Sequence, residues 1–117
     1  MVSETNHKGD ALYMLEGWER RGREMAAKMS AGLLVDPQTE LEWCNDSFRS
    51  SGRLSVVAVL RDLVETKGLA VAAGFARSEA LRGARWPQHS TSPAVNLACE
   101  CRTAAFAEFA MEAEAWL

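Results

Sequence analysis

The chain has 117 residues, of which 48% are hydrophobic and 25% are charged. This composition excludes a wholly disordered chain, and no apolar run reaches the roughly 18 residues that a membrane-spanning helix needs. The chain is also too short for two domains with separate cores. One helical domain over 1–117 is therefore predicted, with residues 1–9 as a mobile polar tail.

The net charge is −3, from 13 lysines and arginines against 16 aspartates and glutamates. A nucleic-acid binder usually carries a broad basic excess, so direct binding of nucleic acid is not favoured. The three cysteines cannot all pair within one chain, and the first ten residues lack the apolar segment of a signal peptide. Both features favour the reducing cytoplasm as the compartment.

The first helix is predicted over 10–31, with Asp10 suited to cap its N-terminus. Its apolar positions recur at helical spacing, at Ala11, Met14 or Leu15, Trp18, Met25 and Met29. Gly22 lies on the same stripe, where it allows another backbone to approach closely. A second helix is predicted over 37–49, because Asp36-Pro37 is a typical helix start and Ser50-Ser51-Gly52 reads as an interruption.

Residues 54–60 allow two interpretations, since this valine-rich run has the length and the β-branched side chains of a buried strand. The apolar positions nevertheless continue at helical spacing through Leu63 and Val64, and Gly68 is placed to end a helix. A helix over 53–67, buried on most sides, is therefore predicted.

Two further helices complete the pattern. The alanine-rich segment 69–85 predicts a fourth helix, with Val71, Phe75 and Leu81 as its bulky residues. Ser92-Pro93 repeats the start signal for a long final helix, whose apolar stripe is Val95, Cys99, Phe106, Phe109, Ala113 and Trp116. The predicted fold class is an all-α, single-domain bundle of about five helices.

No pattern in the sequence predicts a catalytic site, a cofactor or a metal ion. Cys99 and Cys101 are two residues apart, so on a helix they point about 200° apart and cannot bind one ion together. Core packing is the favoured role for the thiols, including Cys44. His7 and His89 fall in the predicted tail and in a polar connector, where nothing holds them beside a nucleophile.

Two charged clusters and two tryptophans are the candidate interaction residues. We call Arg20, Arg21 and Arg23 the basic patch, and Glu100, Glu108 and Glu112 the acidic edge. A solvated helix face is the simplest explanation of either cluster, and a docking surface is the alternative. Trp43 and Trp86 are the candidate aromatic contacts, because tryptophan, methionine and arginine are enriched at protein interfaces.

Residues 69–82 resemble a helix-turn-helix, with Ala70 four residues before Gly74 and with Arg77 and Arg82 beyond the glycine. That resemblance implies a DNA-binding regulator. An alanine-rich core helix is the alternative. Gly68 leaves only five residues before the turn, which is short for a first helix, and Gly83 occupies a position where a helix-turn-helix has an apolar core residue.

As a small, acidic helical chain without motifs, the protein resembles the compact inhibitors that phages and mobile elements encode, including anti-CRISPR proteins. The resemblance implies that it occludes a bacterial nucleic-acid-handling complex, either sterically or by presenting carboxylates where phosphate would lie. We therefore expect a non-catalytic protein-binding inhibitor or adaptor with a protein partner. A DNA-binding regulator, an enzyme with a dispersed active site and a homo-oligomer remain alternatives.

Overall fold

Four α-helices form the part of the chain that the structure describes. This computed structural model describes residues 4–30, 37–85 and 92–117, with the side chains at 4–6, 29–30, 37–48 and 93–94 left outside the description. The helices are α1 (Glu4–Ser30), α2 (Pro37–Lys67), α3 (Leu69–Arg85) and α4 (Pro93–Trp116). The described ranges contain no strand, so the all-α class is confirmed and the run 54–60 is helical.

The prediction of separate helices over 37–49 and 53–67 is wrong, because α2 continues through Ser50-Ser51-Gly52. Ser50 is only 4% exposed and Gly52 is buried. A Cβ atom on Gly52 would lie 2.5 Å from the backbone oxygen of Cys101 in α4. The small residues thus allow two helices to touch, and this packing outweighs the roughly 1 kcal/mol that glycine costs within a helix.

The helix α1 begins at Glu4, six residues before the predicted start. Residues 4–9, predicted as a tail, therefore form the first turns of this helix. Lys8 connects them to the second helix, since its Nζ atom donates a hydrogen bond of 3.1 Å to the backbone oxygen of Glu65. This contact with a distant part of the chain favours the helical form of the residues before Asp10, where the local sequence suggested a cap.

Consecutive helices pack antiparallel in two pairs. In the first pair, Lys8 meets the end of α2 while Gly22 meets Leu54 near the middle of that helix. In the second pair, Gly83 of α3 meets Thr103 of α4. Between the pairs, Gly68 has a φ of 98° and donates its N–H to the oxygen of Leu63, which is the predicted helix end. The second helix contacts each of the other three.

The core lies where the predicted stripes of the first and last helices meet α2. The buried stripe residues are Ala11, Leu15, Trp18 and Met25 of α1 and Phe106, Phe109 and Ala113 of α4, which confirms those predictions. Two edge-to-face ring contacts cross the core, Trp18 with Phe109 at 6.4 Å and Phe75 with Phe106 at 5.7 Å between centroids.

The third helix buries mainly alanines, and of its three predicted bulky residues Phe75 packs against the core while the other two are exposed. Val71 is 49% exposed and Leu81 is 52% exposed. The buried side chains of this helix are Leu69, Ala72, Ala73 and Ala76, because alanine allows the helix axes to approach closely while the phenylalanines of α4 fill the space. Val95 is also half-exposed, contrary to its place on the predicted stripe.

The second half of α2 is not buried on most sides, which corrects that prediction. Its exposed face carries Ser55, Ala58, Val59 and Asp62, while Val56, Val57, Leu60 and Val64 are buried. None of the described helices is long and apolar enough to cross a membrane.

Candidate protein-docking surface

The outer face of α4 carries an exposed apolar strip. Leu97, Ala104 and Met111 follow one another at intervals of seven residues, so they lie along one side of the helix. Ala104 is exposed, Leu97 is half-buried, and Met111 is 72% exposed. Together with the half-buried Ala107, these three residues form what we call the α4 strip.

The acidic edge borders this strip. Helical geometry places Glu100 on one side of the line from Leu97 to Met111 and Glu108 with Glu112 on the other. Glu100 and Glu112 are exposed. The three acids are therefore neighbours of the same apolar surface, but they do not have equal surroundings.

Glu108 is bound by two arginines of α2. The Nε atom of Arg53 donates to Oε2 of Glu108 at 3.0 Å, a second guanidinium nitrogen of Arg53 donates to Oε1, and Arg49 lies 3.3 Å from the same oxygen. The guanidinium carbon of Arg53 also lies 5.1 Å from the ring centroid of Trp18. One arginine thus links α1, α2 and α4, and the charge of Glu108 is compensated within the chain.

These arginines change the ionisation of Glu108. Burial alone would raise its pKa, but the hydrogen bonds and charges of Arg53, followed by those of Arg49, outweigh burial and lower the pKa. Glu108 consequently stabilises the fold above about pH 4.3, the ordinary glutamate pKa. That contribution is lost as the pH falls through the lower pKa of the folded state.

Glu108→Gln is therefore expected to lower the free energy of unfolding at neutral pH by about 1 kcal/mol, a value limited by solvent screening of a partly exposed pair. The difference from the parent protein should vanish as the medium becomes acidic enough to protonate Glu108 in both states. Urea unfolding at a series of pH values measures it. Glu112→Gln is the matched control, since Glu112 is exposed and has no ion pair among the described residues; an equal loss in both variants would contradict the role of the arginines.

A pocket of about 310 Å³ opens beside the strip, between α2 and α4. Its walls are Arg49, Arg53, Leu97, Cys101, Ala104, Ala105 and Glu108. Two of these residues, Leu97 and Ala104, belong to the α4 strip, so the pocket and the strip form one continuous surface. The aliphatic parts of the two arginines complete a largely apolar lining.

A larger open groove of about 1090 Å³ lies between α3 and α4. Its walls carry charges of both signs, including Glu79, Arg82, Glu100 and Arg102. Arg82 lies 3.9 Å from Glu79, and the guanidinium of Arg102 lies 5.3 Å from the ring centroid of Phe106. This groove borders the opposite side of the strip from the α2–α4 pocket.

The two cysteines of α4 face different sides of the helix, as predicted. Cys99 lines the large groove and Cys101 lines the small pocket. Burial, with a smaller contribution from the charge of Glu100, raises the pKa of the Cys101 thiol, which disfavours the reactive thiolate. The described residues contain no group of three or more histidine, cysteine, aspartate or glutamate side chains able to hold a metal ion. The side chain of Cys44 and residue His89 lie outside the described residues.

The basic patch lies on α1, where Arg20, Arg21 and Arg23 are all exposed. Arg23 forms an ion pair of 2.6 Å with Glu19, which also accepts a hydrogen bond from Arg61 of α2. The hydrogen bond from Arg61 is the main cause of a lowered pKa at Glu19. Arg23 is therefore compensated within the chain, while Arg20 has no ion pair within the described part of the chain.

The described residues assign the two aromatic candidates to neither surface. The backbone of α2 passes through Trp43, but that side chain and the whole of Trp86 lie outside the described residues.

The helix-turn-helix expected as an alternative over 69–82 does not form. The helix α3 runs without a turn from Leu69 to Arg85, and Gly74 lies within it, exposed and with open space around its missing side chain. The alanine-rich core helix is the correct interpretation of this segment.

The chain matches no protein-family model, no curated protein and no solved structure. Sequence reasoning missed the link from Glu108 to Arg49 and Arg53 because it placed a break between these two arginines. Their spacing of four residues was the available signal, since residues four apart on one helix share a face.

Proposed function

We propose that this chain is a non-catalytic protein-binding protein, an inhibitor or adaptor, that docks through the outer face of α4. The observation that carries the proposal is the exposed side chain of Met111, 72% accessible, on an apolar strip between Glu100 and Glu112. Burying such a strip against a partner is favourable, and acids at its border select a partner of opposite charge. No cofactor is part of this proposal.

The proposed partner is a bacterial nucleic-acid-handling complex of the CRISPR effector kind, met in the cytoplasm. Such a complex has a basic surface that binds phosphate, and carboxylates on a helix are complementary to it. The proposed source is a phage or another mobile element, in line with the resemblance to small inhibitors. The net charge of −3 supports attraction to a basic partner.

The basic patch is the rival docking surface. Arg20 and Arg21 are exposed, and arginine is among the residues that contribute most to binding at interfaces. This surface would take an acidic partner, so the two candidates predict partners of opposite charge and can be separated by charge reversal.

We expect Glu100→Lys combined with Glu112→Lys to weaken partner binding about tenfold at low ionic strength, with a smaller loss at high salt. Reversal of the basic patch with Arg20→Glu, Arg21→Glu and Arg23→Glu is expected to change binding less than twofold. Glu108 is kept in both variants, because reversing it would place a lysine against Arg53. The partner is obtained by pull-down from bacterial lysate with mass spectrometry, and affinities are then measured with the purified partner.

Circular dichroism must first show unchanged helix content in each variant. Undiminished binding by both variants would reject electrostatic docking. A loss confined to the basic-patch variant would move the proposed surface to α1.

A further inference from the structure

We infer that the occupant of the α4 surface is a basic amphipathic helix that inserts one large apolar side chain into the α2–α4 pocket. This inference rests on the proposed function and specifies the chemistry of the partner segment. Three observations carry it: the spacing of the strip, the pocket beside it and the charges around it.

The spacing of the strip fits a helix. Leu97, Ala104 and Met111 repeat every seven residues, and Ala107 falls between the last two at a distance of three from Ala104. Alternation of three and four residues is the pattern along which two helices pack side by side. The line from Leu97 to Met111 is about 21 Å long, which is roughly four turns of a partner helix. The alanines in its middle allow that helix to approach closely.

The pocket provides the place for an anchor. Its volume of about 310 Å³ is continuous with the strip at Leu97 and Ala104. The walls of the pocket are mostly apolar, so a leucine or aromatic side chain that fills it would gain affinity. Anchors of this kind, seated in preformed pockets, supply most of the binding energy in typical interfaces.

The charges define the rest of the partner helix. Glu100 and Glu112 lie on either side of the strip, where flanking charges determine which helix pairs with which. Lysine or arginine is therefore expected on both borders of the partner. At the rim of the pocket, Arg49 is 64% exposed and repels a basic residue, so the partner places its apolar anchor there.

A second copy of the same surface is a poor occupant. Packing α4 against α4 would bring the acidic edges of two molecules together, because each strip is bordered by Glu100 on one side and Glu112 on the other. An acidic partner helix would likewise be repelled by Glu100 and Glu112. A basic helix is the occupant that relieves it.

The test uses an 18-residue amphipathic model helix of leucine and lysine as the probe, and its leucine and glutamate counterpart as the control peptide. Fluorescence anisotropy of labelled peptide against the full chain should show at least tenfold tighter binding of the lysine peptide. Ala104→Phe, which fills the pocket mouth from an exposed position, should weaken that binding about tenfold. Its matched control is Ala58→Phe on the exposed face of α2, expected to change binding less than twofold.

A second matched pair tests the charges. Glu112→Lys should weaken binding of the lysine peptide several-fold, whereas Glu16→Lys, on the exposed face of α1, should change it less than twofold. Equal effects within either pair, or equal binding of the two peptides, would overturn the inference. The lysine peptide could bind no more tightly than the control peptide while binding of the lysate partner still depends on Glu100 and Glu112. In that case the helix inference is wrong and the proposed function stands. If, in addition, binding of the lysate partner does not depend on Glu100 and Glu112, the proposed function is rejected as well.

Discussion

Gly52→Ala is expected to destabilise the protein by about 3 kcal/mol, a cost typical of strong overpacking. A Cβ atom at this position would lie 2.5 Å from the backbone oxygen and 2.6 Å from the carbonyl carbon of Cys101. Because the obstacle is backbone, no change of side-chain rotamer relieves the contact, and α2 must move away from α4. Chemical denaturation followed by circular dichroism measures the loss.

Gly74→Ala is the matched control for this substitution. Gly74 also lies within a helix, but nothing approaches within 4 Å of the place where its Cβ would be. The control should therefore stabilise the protein by about 0.5–1 kcal/mol, the helix-propensity difference between the two residues. If Gly52→Ala is as stable as the parent protein, the close crossing of α2 and α4 is incorrect.

A movement of α2 would also be visible at the docking surface. Arg49 and Arg53 lie on the same helix as Gly52 and line the α2–α4 pocket. Gly52→Ala is thus expected to reduce binding of the lysine peptide, whereas Gly74→Ala leaves it unchanged.

Phe109→Ala is the second substitution with a large expected effect, a loss of about 3–5 kcal/mol in the free energy of unfolding. Phe109 is fully buried, and its ring packs edge-to-face with that of Trp18 across the contact between α4 and α1. Truncation leaves a cavity between helices that are held apart by their other contacts, so the site cannot collapse to fill it.

Met111→Ala is the matched control, because Met111 lies two residues further along α4 but is 72% exposed. Its expected effect on stability is within about 0.5 kcal/mol, as for surface substitutions generally. In the binding assay Met111→Ala should have the clear effect that it lacks on stability. It should weaken binding of the lysine peptide, because an apolar contact is lost. A stability loss at Met111 comparable to that at Phe109 would show that the α4 strip is not an outer surface.

Several features of the fold could be read from local sequence. The stripe from Ala11 to Met25 and the end of α2 at Gly68 follow from helical periodicity and from the freedom of glycine at positive φ. The start of α4 at Pro93 follows from the fixed φ of proline. These are short-range effects, so neighbouring residues contain the information.

The candidate site could be predicted only in part. Spacing alone places Glu108 and Glu112 on one side of a helix before any tertiary contact is known, whereas Glu100 lies across the α4 strip from them. The sequence could not separate the compensated Glu108 from its exposed neighbours, because Arg49 and Arg53 lie more than fifty residues away along the chain.

The sequence by itself determined that the described segments are helical, where most of their helices begin and end, and that Glu108 and Glu112 lie on the same side of α4. Only the tertiary structure decided that Gly52 continues a helix, that α3 buries alanines and leaves Val71 exposed, and that a pocket opens beside the α4 strip. The physical reason is the difference in sequence range between the interactions involved. Helix propensity and capping act over a few residues, whereas the fate of a small residue depends on which distant helix packs against it, and that packing can outweigh local preferences of about 1 kcal/mol.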